Sequence, residues 1–232
     1  MENSQSQAKP HTAEIKEYVD RIRESLPKVL EVASLGVKSK APWNLLCTRE
    51  ALIWRIEELA RNAHHALERD DVAVAAILTR AVTESAALTW KLMDVLETRK
   101  QYTDEEFYET LMRMLVGGRK WEDMPQAFQI LTSIDRMNKK VPGVRPAYDS
   151  LSEFAHPNWA GAFGLYSMTD ETAFTTYFGR ALRGSEANHD MVANALLGSL
   201  GCFEYAYNKI SEMMPRFLAE LESLWPEDAA PS

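Results

Sequence analysis

Cysteine is scarce in this chain of 232 residues: only Cys47 and Cys202 occur, far apart and each inside an apolar helical pattern. That excludes a disulfide framework or a zinc knuckle and fits small buried thiols in a reducing compartment. Long hydrophobic runs are lacking too, since no stretch of eighteen apolar residues appears, and the opening MENSQSQAKPHTAE has neither an apolar h-region nor an Arg-rich transit character. The expectation is a cytoplasmic protein with no membrane partner. Positive charge is in deficit, the formal net charge being −8, which argues against broad binding to a phosphate backbone while leaving room for a local basic groove. Internal repeats and low-complexity blocks are absent. What is present is an apolar fraction of 46% and a charged fraction of 26%, the composition of an ordinary globular chain long enough for one substantial domain.

Helical periodicity dominates. Residues 1–11 and 226–232 read as disordered tails around a single helical domain over 12–225. From Thr12, the positions Ile15, Tyr18, Val19, Ile22 and Leu26 fall at helical spacing, with Pro27 kinking or restarting the helix and Gly36 ending it. A linker, GVKSKAPWN, leads to a second helix over about Leu45–Arg69. Asp70 and Asp71 then open VAVAAILTRAVTESAALTWKLMDVLE, which is alanine-rich and apolar on most of its circumference, so it reads as the most enclosed helix. Thr103 and Glu106 form a capping-box pair at the start of a short helix that stops at Gly117–Gly118. MPQAFQILTSIDRMNKK reads as a further helix, and VPGVRP breaks it before a short helix over about Ala147–His156. The β-branched and aromatic residues flanking TDE near 160–180 predict a small hairpin or an irregular flap. A last long helix runs from about Glu186 to Met214, where Pro215 introduces a terminal turn. The fold class is all-α, an antiparallel helical bundle with a small insertion.

Two stretches carry candidate chemistry. Arg80 and Glu84, four apart, share one face of the apolar third helix. Ions in such a setting lose several kcal/mol of hydration unless paired, so they form either an ion pair at a bundle edge or half of a polar site. In YDSLSEFAHPNWAG, Tyr148, Ser152 and His156 recur at steps of four, and Pro157 stops the helix beside His156. There His156 is either a C-terminal capping donor or a general acid or base of tunable pKa. Trp159, just beyond, closes over a pocket or sits at a dimer face.

The pairing of Arg80-x3-Glu84 with Tyr148-x2-Leu151-Ser152-x3-His156-Pro157 resembles an uncharacterised bacterial all-helical family related to the HEPN-like superfamily, over about residues 45–215. The resemblance implies an all-helical, dimeric protein. Many such proteins are metal-independent RNases of toxin–antitoxin or phage-defence systems, and others only bind. In those RNases an Arg followed by a polar residue and, four to six intervening residues on, a His act on the RNA phosphate and the 2′-hydroxyl. Here Arg61-Asn62 reaches His65 after only three intervening residues, and Arg183 to His189 fits the spacing but crosses a glycine-containing turn. A HEPN-like site would therefore assemble across helices: Arg80 binding phosphate or carboxylate, Glu84 orienting it, His156 transferring the proton and Ser152 beside it. RNA or a nucleotide would be the substrate, with no cofactor or metal.

The competing expectation is a non-enzymatic interaction module in which the same residues form an internal network fixing helix register. A third, minor one rests on Glu153-x2-His156 and Glu186-x2-His189, the paired unit of dimetal carboxylate bundles, with Glu57, Glu58 or Glu84 as further ligands. Gly117–Gly118 with Arg119 and Lys120 could cradle a phosphate but lacks P-loop spacing. MNKKVPGVRP, with Arg136 and Arg145, is a short basic loop able to touch an RNA backbone. Ser152 lacks the strand and Gly-x-Ser-x-Gly elbow of a serine hydrolase. His64 and His65 read as edge residues rather than ligands.

Overall fold

The computed structural model describes residues 10–31, 39–118, 120, 123–184 and 186–224. Most of the chain is helical: α1 Pro10–Glu24, α2 Ala41–Glu68, α3 Val72–Glu97, α4 Asp104–Val116, α5 Ile130–Lys140, α6 Val144–Ala155, the single turn α7 Gly164–Tyr166 and α8 Glu186–Leu224. A π turn at Trp159–Phe163 precedes α7. The one sheet among the described residues is an antiparallel hairpin, β1 Ser167–Asp170 with β2 Thr175–Phe178, in register Ser167↔Phe178 to Asp170↔Thr175.

Helix α3 holds the centre, packing against α2, α8, α6, α5 and α4. Its Ala75, Ala76, Ala86 and Ala87 are fully buried, and such small side chains let neighbouring backbones approach closely. By length and composition α3 is apolar enough to cross a membrane, yet 56% of its most apolar window is buried within the protein, as in a core helix. Two apolar clusters meet along α3 and α8. One gathers Ile15, Ile56, Val82, Leu151, Leu196 and Phe203, and the other Leu92, Phe107, Leu111, Ile134, Met137 and Phe217.

Several boundaries differ from the sequence expectation, each for a local reason. Helix α1 starts at Pro10, inside the expected tail, and stops at Glu24. It ends just short of Pro27, as a proline disfavours helical backbone just before it, and no helix restarts there within the described residues. The rest of the expected tails, Gly36, Arg119 and Trp225 lie outside the described residues. Helix α2 begins at Ala41 with Pro42 in its first turn, where a missing N–H is harmless. Residues 124–129 are not helical, so α5 is shorter than its pattern implied, and Phe128 serves a loop instead. Pro215 stays inside α8. It sits on the exposed side while Met214, Phe217 and Leu221 hold the helix to the core, and Ser211, whose carbonyl it leaves without its helical partner, is exposed too. The capping box of α4 forms as its residues require: Glu106 N–H donates to Thr103 Oγ1 (3.2 Å) and Thr103 N–H to Glu106 Oε2 (2.9 Å).

Candidate functional site

Arg80 and Glu84 lie one turn apart on the side of α3 that meets α6. Helix α6 presents Tyr148 and Ser152 to them, again one turn apart. Three of the side chains close a circuit, and Ser152 joins it through Arg80. Arg80 Nη2 donates to the Tyr148 hydroxyl (2.9 Å), which donates to Glu84 Oε1 (2.8 Å), and that carboxylate pairs back to Arg80 Nη2 (3.2 Å). Arg80 Nε also donates to Ser152 Oγ (3.1 Å), whose own proton goes to the Tyr148 carbonyl (2.9 Å). The Arg80 guanidinium lies 5.2 Å from the centre of the Tyr148 ring.

Tyr148 is the hub. It is only 4% exposed, and burial first, then its bond to Glu84, raises its pKa above the ordinary phenol value, with Arg80 opposing. The side chains of Arg80 and Glu84 remain 36% and 30% exposed, so the network runs from the core to the surface. Both hydroxyls are engaged as donor and acceptor: Tyr148 gives its proton to the Glu84 carboxylate and Ser152 gives its own to a backbone carbonyl.

His156 stands apart. It caps α6 with extended backbone, φ −93° and ψ 144°, as the residue before a proline prefers. The regular step of four from Tyr148 through Ser152 is therefore broken at His156, which is exposed and forms no side-chain hydrogen bond or ion pair among the described residues. Gly161 is what lets the chain fold back there: a Cβ at Gly161 would sit 2.0 Å from the His156 carbonyl oxygen. The expected four-residue gathering thus holds for Arg80, Glu84 and Ser152, with Tyr148 rather than His156 completing it.

Several of the remaining candidates are engaged elsewhere. Glu57 accepts from Arg23 and Arg61 (both 3.0 Å), and Asn62 donates to the Glu58 carbonyl (2.7 Å). Glu153 accepts from Asn158 (2.6 Å). Buried His189 meets the Leu67 carbonyl (3.2 Å). Arg183 donates to the Ser167 carbonyl (2.7 Å) and lies over Trp159. Among the described residues, the one group of three ligand-capable side chains is His64, His65 and Glu68, with ligand atoms within 4.8 Å; it includes neither Glu-x-x-His pair. Arg145 pairs with Asp135 (2.6 Å) and Asp149 (2.9 Å). Cys202 is buried and its thiol is pushed up to about 11 by that burial. Four surface cavities, of about 110, 200, 310 and 620 Å³, are lined by residues other than Arg80, Glu84, Ser152 and His156.

Set beside known protein families, curated proteins and solved structures, the chain matches none. Fold and site define a class only: a mostly helical protein with a small hairpin and a polar network linking two of its helices.

Proposed function

We propose that this chain is a non-enzymatic helical interaction module, its helices forming an antiparallel bundle whose register is set by Arg80, Glu84, Tyr148 and Ser152, and that it works as a cytoplasmic homodimer. The observation that carries the first half is the closed circuit through Tyr148. A network whose hydroxyls are satisfied from both sides holds two helices together, whereas catalysis needs an uncommitted nucleophile or base beside a bound substrate.

The second half rests on the region after α6. Trp159, Phe163, Tyr166, Phe174, Tyr177 and Phe178 are exposed by between 42% and 94%. Aromatic side chains carry about 150–250 Å² each, so the six present on the order of 700 Å² over the whole region, with Tyr177 and Phe178, consecutive on β2, on opposite faces of the hairpin. A stable interface takes roughly 800 Å² from each partner, so one face of the region has to be supplemented by strand pairing. Both strands of the hairpin are also edges with unpaired backbone groups, and a lone hairpin is marginal in water. A second copy supplies matching edges and matching aromatic faces about a twofold axis. Analytical ultracentrifugation tests this. The wild type is expected to be a dimer and the Phe174→Ser, Phe178→Ser variant a folded monomer; a wild type that stays monomeric at every concentration sinks the dimer.

One observation favours the HEPN-like reading as the second choice. Arg80 uses Nε and Nη2 for its partners, which leaves Nη1 of a one-third-exposed side chain for an RNA phosphate, with exposed His156 at the end of the adjoining helix. RNA degradation by wild type, Arg80→Ala and His156→Ala decides it. Cleavage abolished by both substitutions supports the RNase, and equal cleavage in all three, or none in any, removes it.

A further inference from the structure

A different side of α3 carries cations in an arrangement opposite to the Arg80 network. Lys91 is 9% exposed and, among the described residues, forms no hydrogen bond or ion pair. Its Nζ lies 5.9 Å from the centre of the Phe128 ring. The Arg113 guanidinium, from α4, lies 4.2 Å from the centre of the same ring. Arg113 uses Nε to donate to the Gln126 carbonyl (2.9 Å), leaving its two Nη groups for another acceptor. Arg136, exposed on α5, has no ion pair among the described residues. Burial first, then Arg136 and Arg113, lowers the pKa of Lys91, as expected where like charges crowd a desolvated amine.

The arrangement is built by the chain rather than left by chance. A Cβ at Gly117 would lie 2.1 Å from the Arg113 carbonyl oxygen and 3.0 Å from Ala127 Cα, so only glycine lets the segment after α4 turn back so tightly. Gly118 then bridges to the returning strand: its N–H donates to the Pro125 carbonyl (2.9 Å), and the Ala127 N–H donates to the Gly118 carbonyl (3.2 Å). That return delivers Phe128 over Arg113 and Lys91. The opposing acid is Asp94, one turn along α3, whose carboxyl burial raises toward the neutral form, with Glu97 adding to this and Lys91, Arg136 and Lys140 opposing. Lys91 therefore feels two cations, Arg136 and Arg113, against one acid, Asp94.

We propose that Lys91 and Arg113, sharing the Phe128 ring, form a binding site for the phosphate group of a small ligand, with Arg136 adding positive charge from α5. A phosphate suits it better than a single carboxylate. It brings two negative charges to three cations and offers several oxygens to the three donors of Lys91 and the paired Nη groups of Arg113. The source is either free inorganic phosphate or the phosphate of a nucleotide.

Isothermal titration with inorganic phosphate and with a nucleoside monophosphate, at matched ionic strength, tests the site. Wild type is expected to bind at least one of them saturably. Lys91→Met and Arg113→Met each weaken binding at least tenfold, Lys91→Arg largely retains it, and Lys139→Met, on the exposed part of α5, leaves it unchanged. Tenfold tighter binding of the nucleotide identifies a nucleotide site, and equal binding a phosphate site. No saturable binding of either probe, or unchanged affinity in folded Lys91→Met or Arg113→Met, overturns the proposal.

Discussion

Two sides of the same helix solve the burial of charge in opposite ways. Where α3 meets α6, Arg80 finds a carboxylate, a phenol and a hydroxyl, and every one of them finds a partner in turn. Where α3 meets α4 and the loop before α5, Lys91 and Arg113 share an aromatic ring and Lys91 has no counter-ion. The first arrangement is complete within the chain; the second becomes complete on adding an anion. A polar cluster built for stability is thus recognised by closure, and one built for a ligand by what it lacks. Motif spacing directs attention to Arg80, Glu84, Ser152 and His156, of which the first three share the network and His156 stands outside it.

The contrast breaks most severely at Tyr148. Tyr148→Ala removes a buried aromatic and leaves both Arg80 and Glu84 without their shared partner; truncations of this kind cost about 3–5 kcal/mol, and a shift of that size in urea unfolding is expected. Tyr148→Phe keeps the ring and deletes only the hub hydroxyl, for an expected loss of about 1–3 kcal/mol. Alkaline pH probes the same group. Tyr148 and Tyr207 are both held above the ordinary phenol range, chiefly by burial and then by bonds to Glu84 and Glu50. Unfolding frees phenols that ionise near pH about 10, so the unfolded state loses protons first. Stability from these two groups is therefore fully present below that pH and falls as pH rises through it toward the folded values. Tyr148→Phe should shallow the fall without abolishing it.

On the open side the sign reverses. Lys91→Met replaces a partly desolvated amine crowded by Arg136 and Arg113 with a neutral side chain of similar length, so without phosphate the variant is expected to melt higher than wild type. Added phosphate should then raise the wild-type melting temperature and leave that of the variant unchanged. The smallest stability effect belongs to the hairpin: Phe178→Ser, at a side chain 76% exposed, should change monomer stability by no more than about 0.5 kcal/mol while shifting the sedimentation profile toward monomer.

Much of this was legible in the sequence where the signal is local. The span of α3, the capping box at Thr103 and Glu106, the hairpin around TDE and the pairing of positions four apart at Arg80–Glu84 and Tyr148–Ser152 all follow from spacing. His156 fails the spacing argument because Pro157 acts on the residue before it and turns the backbone out of the helix. Pro215 fails in the other direction, since packing by Met214 and Phe217 overrides its helix-breaking tendency. The Lys91–Arg113–Phe128 grouping could not be read at all: it joins residues from two helices and a loop through the close turn at Gly117, and no periodicity links them. The glycine pair was visible, but what it brings together is a tertiary contact.

The most direct test of the closed-network account is a double-mutant cycle on Arg80→Met and Tyr148→Phe, read by urea unfolding. Residues in one hydrogen-bonded network are expected to show a coupling of about 1 kcal/mol or more, the double variant losing less than the two single losses together. Single losses that add to within about 0.3 kcal/mol would contradict the claim that these side chains act as one clamp between α3 and α6.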